Sequence, residues 1–95
     1  MRLTPSQQAE IGRRIRQRIH PDARIWLFGS RVDDARRGGD VDLYVESSVA
    51  PSLVAEGVCR EELAETLNLH VDLIVHEPDS ASPISVIARR DGVPL

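Results

Sequence analysis

The chain has 95 residues, of which 41% are hydrophobic, and a net charge of −3. This length predicts one domain, spanning residues 1–95, and the hydrophobic fraction suffices for a packed core, which excludes a disordered chain. No apolar run approaches the ~20 residues of a membrane-spanning helix, no secretory leader is evident, and the single cysteine cannot form an internal disulfide. We therefore expect a cytoplasmic protein that does not associate with a membrane.

The charges are distributed unevenly along the chain. All 12 basic residues are arginine; most of them precede residue 40, whereas acids predominate after it. This distribution does not predict a uniformly basic surface, so we expect no direct contact with nucleic acid. It is compatible with two solvated faces of opposite charge, or with an acidic site that faces an arginine-rich surface.

The first predicted element is a helix. Thr4 can cap it, Pro5 suits its first position, and Gln7 completes a capping box. Isoleucines at every fourth position, 11, 15 and 19, predict its buried stripe. The helix is expected to end before Pro21, because the residue before a proline avoids the helical conformation.

Two strands are predicted next, at 24–28 and 40–46. The first is apolar almost throughout, which predicts burial on both of its faces. Gly29 permits a backbone turn after it. Residues 30–34 are expected to form a short helical turn, and 33–39 a polar loop that ends in two glycines.

The second half of the chain predicts a helix, a strand and a helix. The first helix runs from Pro51 to about Leu69, with its buried stripe at helical spacings: Leu53, Val54, Val58, Leu63 and Leu67. Cys59 lies within it and is interpreted as a small buried side chain rather than a reactive thiol. A strand at 70–75 follows, and the last helix runs from Ser82-Pro83 to Gly92, with Ile84 and Ile87 facing inward and Val86 as a further candidate for that face.

Three carboxylates lie at the starts of predicted strands. Asp40 and Asp42 are two residues apart, so both side chains leave the same face of the second strand, and Asp72 begins the third. For these acids to meet the turn at Gly29, the second strand must be antiparallel to the first and the third parallel to the second. The helix at 51–69 can form the crossover that parallel strands require. The predicted fold class is therefore α/β (α+β), a small mixed sheet of three or more strands flanked by helices.

These residue types suit metal-dependent phosphate chemistry. Mg²⁺ prefers carboxylate oxygens and substrate phosphates, and two such ions can stabilise the attacking and leaving oxygens of a displacement at phosphorus. Backbone N–H groups at Gly29 and Ser30 could hold phosphate, and Arg31 could donate to the leaving phosphates. Each feature alone also has an ordinary interpretation, as a solvated acid pair, a turn or an acid at a strand end.

The combined pattern resembles that of a known family. Leu27-Phe28-Gly29-Ser30-Arg31, followed after eight residues by Asp40-Val41-Asp42-Leu43 and later by Asp72, resembles the nucleotidyltransferase superfamily related to DNA polymerase β. The short length resembles its minimal members, the MNT-type antitoxins of HEPN/MNT toxin–antitoxin pairs. The resemblance covers nearly the whole chain. It implies the nucleotidyltransferase fold, a triphosphate held by Gly29, Ser30 and Arg31, and two Mg²⁺ ions held by a catalytic triad, Asp40, Asp42 and Asp72.

The resemblance also implies a reaction and a partner. The reaction is the transfer of AMP from ATP to a tyrosine hydroxyl of a HEPN toxin, within a hetero-oligomer of the two proteins. Larger relatives recognise the acceptor with a second, helical domain; the sequence predicts none here, so we expect the acceptor site to come from another polypeptide. Two alternatives remain open: an antitoxin that masks its partner sterically without catalysis, and a nucleotidyltransferase that modifies a small molecule such as an antibiotic.

Overall fold

The computed structural model describes residues 3–28 and 41–95. In chain order these residues form α1 (Pro5–Arg18), β1 (Arg24–Phe28), β2 (Val41–Glu46), α2 (Leu53–Leu67), β3 (Val71–His76), α3 (Pro83–Asp91) and β4 (Val93–Pro94). The predicted turn and loop at 29–39, with Gly29, Ser30 and Arg31, and the carboxylate of Asp40 lie outside the described residues. None of the helices in the described ranges is long and apolar enough to cross a membrane.

The described strands form one mixed sheet in the order β3-β2-β1-β4. β2 is antiparallel to β1 and parallel to β3, and α2 makes the crossover between β2 and β3. This arrangement confirms the predicted fold class and strand directions. The sequence did not predict β4, which pairs with β1 through only two residues and carries no periodic signal.

The start of α1 confirms the predicted capping box. The Thr4 side chain accepts a hydrogen bond from the Gln7 backbone N–H at 3.1 Å, and the Gln7 side chain accepts one from the Thr4 backbone N–H at 2.8 Å. Two of the N–H groups that a helix start leaves without partners are thus satisfied. Ile11 and Ile15 are fully buried, as their spacing predicted.

The hydrophobic core lies between one face of the sheet and the helices α1 and α2. Alternate strand residues point into it, at positions 25 and 27, 41, 43 and 45, and 71 and 73. Trp26 and Phe28, on the other face of β1, are only half-buried, so the prediction that both faces of this strand are buried was wrong. This other face of the sheet packs against α3.

The predicted stripe of α2 was partly wrong. Leu63 and Leu67 are buried, but Leu53, Val54 and Val58 are 88%, 75% and 42% exposed. A helix turns by about 100° per residue, so Val54 lies about 180° round the axis from Leu63. Val54 and Val58 therefore belong to a different face from Leu63 and Leu67, whereas Leu53, about 80° from Leu63, is exposed as the first residue of the helix. Cys59 lies on the inner face and is fully buried, which confirms its interpretation as a core side chain.

α3 also differs from its predicted packing. Ser85 and Ala88 are its buried residues, whereas Ile87 is 44% exposed, so the inward position predicted for Ile87 was wrong. The reason lies in the opposing surface, because the sheet presents polar side chains to this helix. α3 therefore turns its small and polar residues toward the sheet.

A buried cluster of polar side chains joins α3 to the sheet. The Tyr44 hydroxyl donates to Glu46 Oε2 at 2.8 Å, and the Arg89 guanidinium donates to the same oxygen. Arg89 also donates to the Ser80 carbonyl at 2.7 Å. Burial raises the pKa of the Glu46 carboxyl, but the hydrogen bonds from Tyr44 and Arg89 outweigh this and hold the pKa below its usual value. The charged cluster thus fixes the position of α3 on this face.

Candidate functional site

Two of the three predicted carboxylates meet at one end of the sheet. Asp42 and Asp72 are register partners on the parallel strands β2 and β3, and Phe28 on β1 is the register partner of Asp42. Register partners point to the same face, and neighbouring strands are about 4.8 Å apart. Phe28, Asp42 and Asp72 therefore form one row across three strands, on the face that carries α3.

This row forms part of a cleft with a volume of about 430 Å³. Its lining combines acidic, basic, aromatic and aliphatic side chains: Phe28, Asp42, Arg60, His70, Val71, Asp72, Leu73, Ile74 and Ile84. A cleft of this size lies within the range of small-molecule and cofactor sites, which are mostly apolar with a few placed polar groups. The arrangement thus suits a ligand with both an apolar and a charged part.

The two carboxylates are open to solvent to different degrees. The Asp72 side chain is 52% exposed, and its Oδ1 lies 3.3 Å from His70 Nε2, whereas Asp42 is half-buried. His70 is two residues before Asp72 in an extended segment, so the two side chains lie on the same face. A ligand entering from solvent would meet Asp72 and His70 first and Asp42 deeper in the cleft.

The donor set of this row fits magnesium. Asp42 and Asp72 offer hard carboxylate oxygens, and Mg²⁺ is typically held by one or two carboxylates plus water and substrate phosphates. Zinc and copper sites draw mainly on histidine and cysteine ligands. Within residues 3–28 and 41–95 no group of three or more acidic, histidine or cysteine side chains could hold a metal ion. The third predicted ligand, Asp40, lies outside these ranges.

Arg60 is a lining residue that the sequence did not single out. It lies on α2, on the opposite side of the sheet from α3, and contributes to the cleft together with residues of β3, the edge strand. It forms no ion pair with any acid in the described part of the chain. A guanidinium that forms no ion pair with the described acids and lines the same cleft as two carboxylates can bind phosphate oxygens. No spacing in the sequence connects Arg60 with Asp42 or Asp72, because only the crossover brings them together.

Phe28, Ile84 and His70 were also missed as lining residues. Phe28 and Ile84 supply apolar walls, and the cluster around Arg89 and Glu46 holds the helix that carries Ile84. Their aliphatic and aromatic types predicted core positions, so the sequence held no signal for a place in a cleft. For His70 a signal existed, since its spacing of two from Asp72 predicts a shared face.

Solved toxin–antitoxin complexes contain chains of similar structure. A point variant of the complex MntA-HpeT is 27% identical, with a TM-score of 0.70 over 93% of this chain and 69% of that chain. A chain in a toxin–antitoxin structure with AMP-PNP is 25% identical, with a TM-score of 0.72 over 97% of this chain and 72% of that chain. A chain in the complex of a tri-AMPylated HEPN toxin with MNT antitoxin, from Shewanella oneidensis, is 25% identical, with a TM-score of 0.69 over 94% of this chain and 68% of that chain.

These likenesses agree with the resemblance that the sequence motifs indicated. Among curated proteins, none matches the chain significantly. The family model of the nucleotidyltransferase domain matches residues 10–92. This range includes most of α1 and every described strand except β4. The match thus covers the row of Phe28, Asp42 and Asp72 and the helices on both sides of the sheet. The chain belongs to the nucleotidyltransferase domain family.

Proposed function

We propose that this protein is an MNT-type antitoxin that transfers AMP from ATP to a tyrosine hydroxyl of a HEPN toxin. The observation that carries the proposal is the pairing of Asp42 with Asp72 inside a cleft of about 430 Å³. One similar structure contains AMP-PNP, and another contains an AMPylated HEPN toxin, which supports ATP as the donor and such a toxin as the acceptor. Proteins of this kind would act in a hetero-oligomer.

The triphosphate is assigned to Gly29, Ser30 and Arg31. Phe28, the residue before Gly29, is the register partner of Asp42, which supports a phosphate site next to the carboxylates. Backbone N–H groups at a glycine-containing turn and an arginine suit phosphate oxygens. Arg60 lines the cleft and would bind the charge that remains on the leaving pyrophosphate.

Asp40, Asp42 and Asp72 are assigned as ligands of two Mg²⁺ ions. Asp40 enters the proposal from its spacing of two residues before Asp42. When bound, the ions would neutralise the phosphates and polarise the α-phosphorus. Asp72, the more exposed carboxylate, would also accept the proton of the attacking hydroxyl. The new bond joins that oxygen to the α-phosphorus, the bond to the β-phosphate oxygen breaks, and pyrophosphate leaves.

The test is label transfer from α-labelled ATP to a HEPN-type toxin that is co-expressed with this chain. The parent is expected to add whole AMP units to the toxin, seen by intact mass measurement. The double variant Asp42→Asn/Asp72→Asn should lose transfer by at least about a hundredfold, since removing one preorganised charge-stabilising group from an active site typically costs this much. The control Glu77→Gln/Asp91→Asn changes two exposed acids outside the cleft and should transfer at the parent rate.

Each alternative predicts a different result in this assay. Undiminished transfer by Asp42→Asn/Asp72→Asn would contradict the proposed mechanism. Neutralisation of the toxin by that variant in the absence of ATP would identify an antitoxin that acts by masking alone. Transfer of AMP to an aminoglycoside in the absence of any partner protein would identify a small-molecule nucleotidyltransferase.

A further inference from the structure

The outward side of α2 carries a cluster of exposed apolar residues. Leu53 is 88% exposed, Val54 75% and Val58 42%. Together with polar neighbours they line a shallow groove of about 420 Å³, which we name the α2 outer surface: Leu53, Val54, Gly57, Val58, Arg60, Glu61, Glu62 and Glu65. Single exposed apolar residues are ordinary on a protein surface, but a contiguous cluster with a polar rim marks an interaction site.

The pattern of α2 indicates that both of its sides are covered in the functional protein. Its inner stripe of Cys59, Leu63 and Leu67 packs into the core. On the side that faces solvent, Val54 and Val58 lie about 180° and 140° round the axis from Leu63 and form a second apolar stripe, with the exposed Leu53 at its margin. A helix that bears apolar residues on opposite faces is typical of a buried helix rather than a surface one. The surface thus lacks a covering element within the described residues.

We propose that the α2 outer surface docks the protein that carries the acceptor hydroxyl. The partner would present an apolar patch with basic side chains at one end of it. This inference rests on the proposed function, because it identifies where that acceptor protein binds. It goes further by assigning binding to α2, away from the carboxylates that carry the chemistry.

The charges on α2 favour a basic partner over a second copy of this chain. Glu61 and Glu65 are exposed and follow the apolar half of the helix. If two copies paired through this surface in parallel, acids would meet acids. If they paired antiparallel, which two-fold symmetry also allows, the acids of one copy would meet the apolar half of the other. Like charges or unpaired charges at an interface are unfavourable, whereas basic residues on a different protein satisfy both parts of the surface.

The position of Arg60 connects this surface with the cleft. Arg60 lines both the groove on α2 and the cleft that holds Asp42 and Asp72. The apolar and acidic parts of the surface extend from Leu53 to Glu65, about 18 Å along the helix axis. A protein bound along this length would contact Arg60 at the side of the surface that borders the cleft. It could therefore extend a side chain into the cleft without a rearrangement of the fold.

The first test removes the apolar character of the surface. Glutamine favours helix more than valine does, so Leu53→Gln/Val54→Gln should retain the fold. The dissociation constant with the HEPN-type toxin of the transfer assay, measured calorimetrically, should rise by at least about tenfold, since a few central apolar anchors dominate an interface. The matched control Val86→Gln/Ile87→Gln changes two exposed aliphatic residues of α3 and should leave the constant unchanged.

The second test reverses one rim charge. Glu65→Lys should slow association with the same partner by about tenfold at low salt, and the difference should shrink at high salt. The control Glu77→Lys reverses an exposed acid elsewhere on the molecule and should associate at the parent rate. An unchanged or faster association of Glu65→Lys would contradict a basic partner.

Failure of this inference can be distinguished from failure of the proposed function. Leu53→Gln/Val54→Gln should bind AMP-PNP with the parent affinity and regain AMP transfer at high partner concentration. Asp42→Asn/Asp72→Asn should show the reverse, a normal complex without transfer. A parent-like dissociation constant for Leu53→Gln/Val54→Gln would overturn the docking assignment. So would an isolated parent chain that sediments as a dimer while this variant sediments as a monomer, because a second copy would then be the occupant.

Discussion

Replacing Arg89 with methionine is expected to destabilise the fold strongly, although Arg89 is partly exposed. The change keeps most of the aliphatic part of the side chain but removes the donors to Glu46 and to the Ser80 carbonyl. The Glu46 side chain is completely buried, so its carboxylate would be left with the Tyr44 hydroxyl as its remaining donor among the described side chains. Breaking a buried ion pair from one side typically costs about 3–5 kcal/mol, because an uncompensated charge stays in the interior.

The reverse substitution, Glu46→Gln, should cost less. The Arg89 side chain is 29% exposed, so its charge can be partly hydrated once the carboxylate is gone. The loss is then mainly that of charge-assisted hydrogen bonds, about 1.5–3 kcal/mol. Changing both residues, in Glu46→Met/Arg89→Met, should recover much of the stability, since an apolar pair of similar volume has no desolvation cost. The rank order of the three variants in free energy of unfolding tests the reasoning even if the absolute energies differ from these values.

The pH dependence provides a further check. In the parent, the pKa of Glu46 lies below its usual value of 4.5. A lowered pKa in the folded state contributes stability that is present above pH 4.5 and is lost as the pH falls through the folded value. In Arg89→Met, the lowering effect of the Arg89 hydrogen bond and charge is lost while burial remains, so the pKa of Glu46 should be higher than in the parent, and its ionised form should contribute less to stability near pH 7. The difference in stability between parent and variant should therefore be largest near pH 7 and shrink toward pH 4.

Urea unfolding followed by the fluorescence of Trp26 measures these differences. Trp26 is the only tryptophan, and its ring centroid lies 5.6 Å from that of Tyr44, so its emission should report on this face of the sheet. In a thermal scan, a loss of 3 kcal/mol should lower the Tm by at least about 12 °C in a domain of this size. If Arg89→Met lowered the free energy of unfolding at pH 7 by less than about 1 kcal/mol, well below the range for a broken buried ion pair, the reasoning would be refuted. A difference that does not change between pH 7 and pH 4 would also refute it.

Three further predictions concern single residues. Asp72→Asn should change the free energy of unfolding by less than about 1 kcal/mol, because this carboxylate is 52% exposed and its contact with His70 lies at the surface; a larger change in urea unfolding would contradict this. Arg60→Met should raise the KM for ATP at least about tenfold without a change in Tm, since it removes a charge-assisted contact, whereas Arg90→Met should leave KM unchanged. Burial raises the pKa of the Cys59 thiol to about 11, so a thiol reagent should react only as fast as the chain unfolds; rapid reaction of the native protein would contradict this.

The sequence predicted the elements and their order because local signals are strong in this chain. The capping box at Thr4, the proline and serine starts of the helices and the alternation within the strands each depend on residues close together in sequence. The directions of the strands followed from one further condition, that the carboxylates share an edge of the sheet. Neither the local signals nor this condition predicted β4, because a strand of two residues is too short to show an alternating pattern.

The predictions of the buried faces of α2 and α3 were wrong where the helix pattern alone could not show which surface each face would meet. In α2 the helical spacing places Val54 opposite Leu63, and only the sheet decides that the side with Leu63 faces inward. In α3 the inward face consists of Ser85 and Ala88, because the opposing strand presents Tyr44 and Glu46. A helix pattern records hydrophobicity but not the polarity of the surface that the helix will meet.

The sequence by itself determined the family motifs, the chemical types available at the site and the strands to which Asp42 and Asp72 belong. Only the tertiary structure decided that Asp42 and Asp72 are register partners, that Arg60 lines the same cleft, and that one face of α2 stays uncovered. The physical reason is the range of the interactions. Capping, turns and strand alternation act over a few residues, whereas a cleft forms from side chains brought together by the crossover of α2 and the packing of α3.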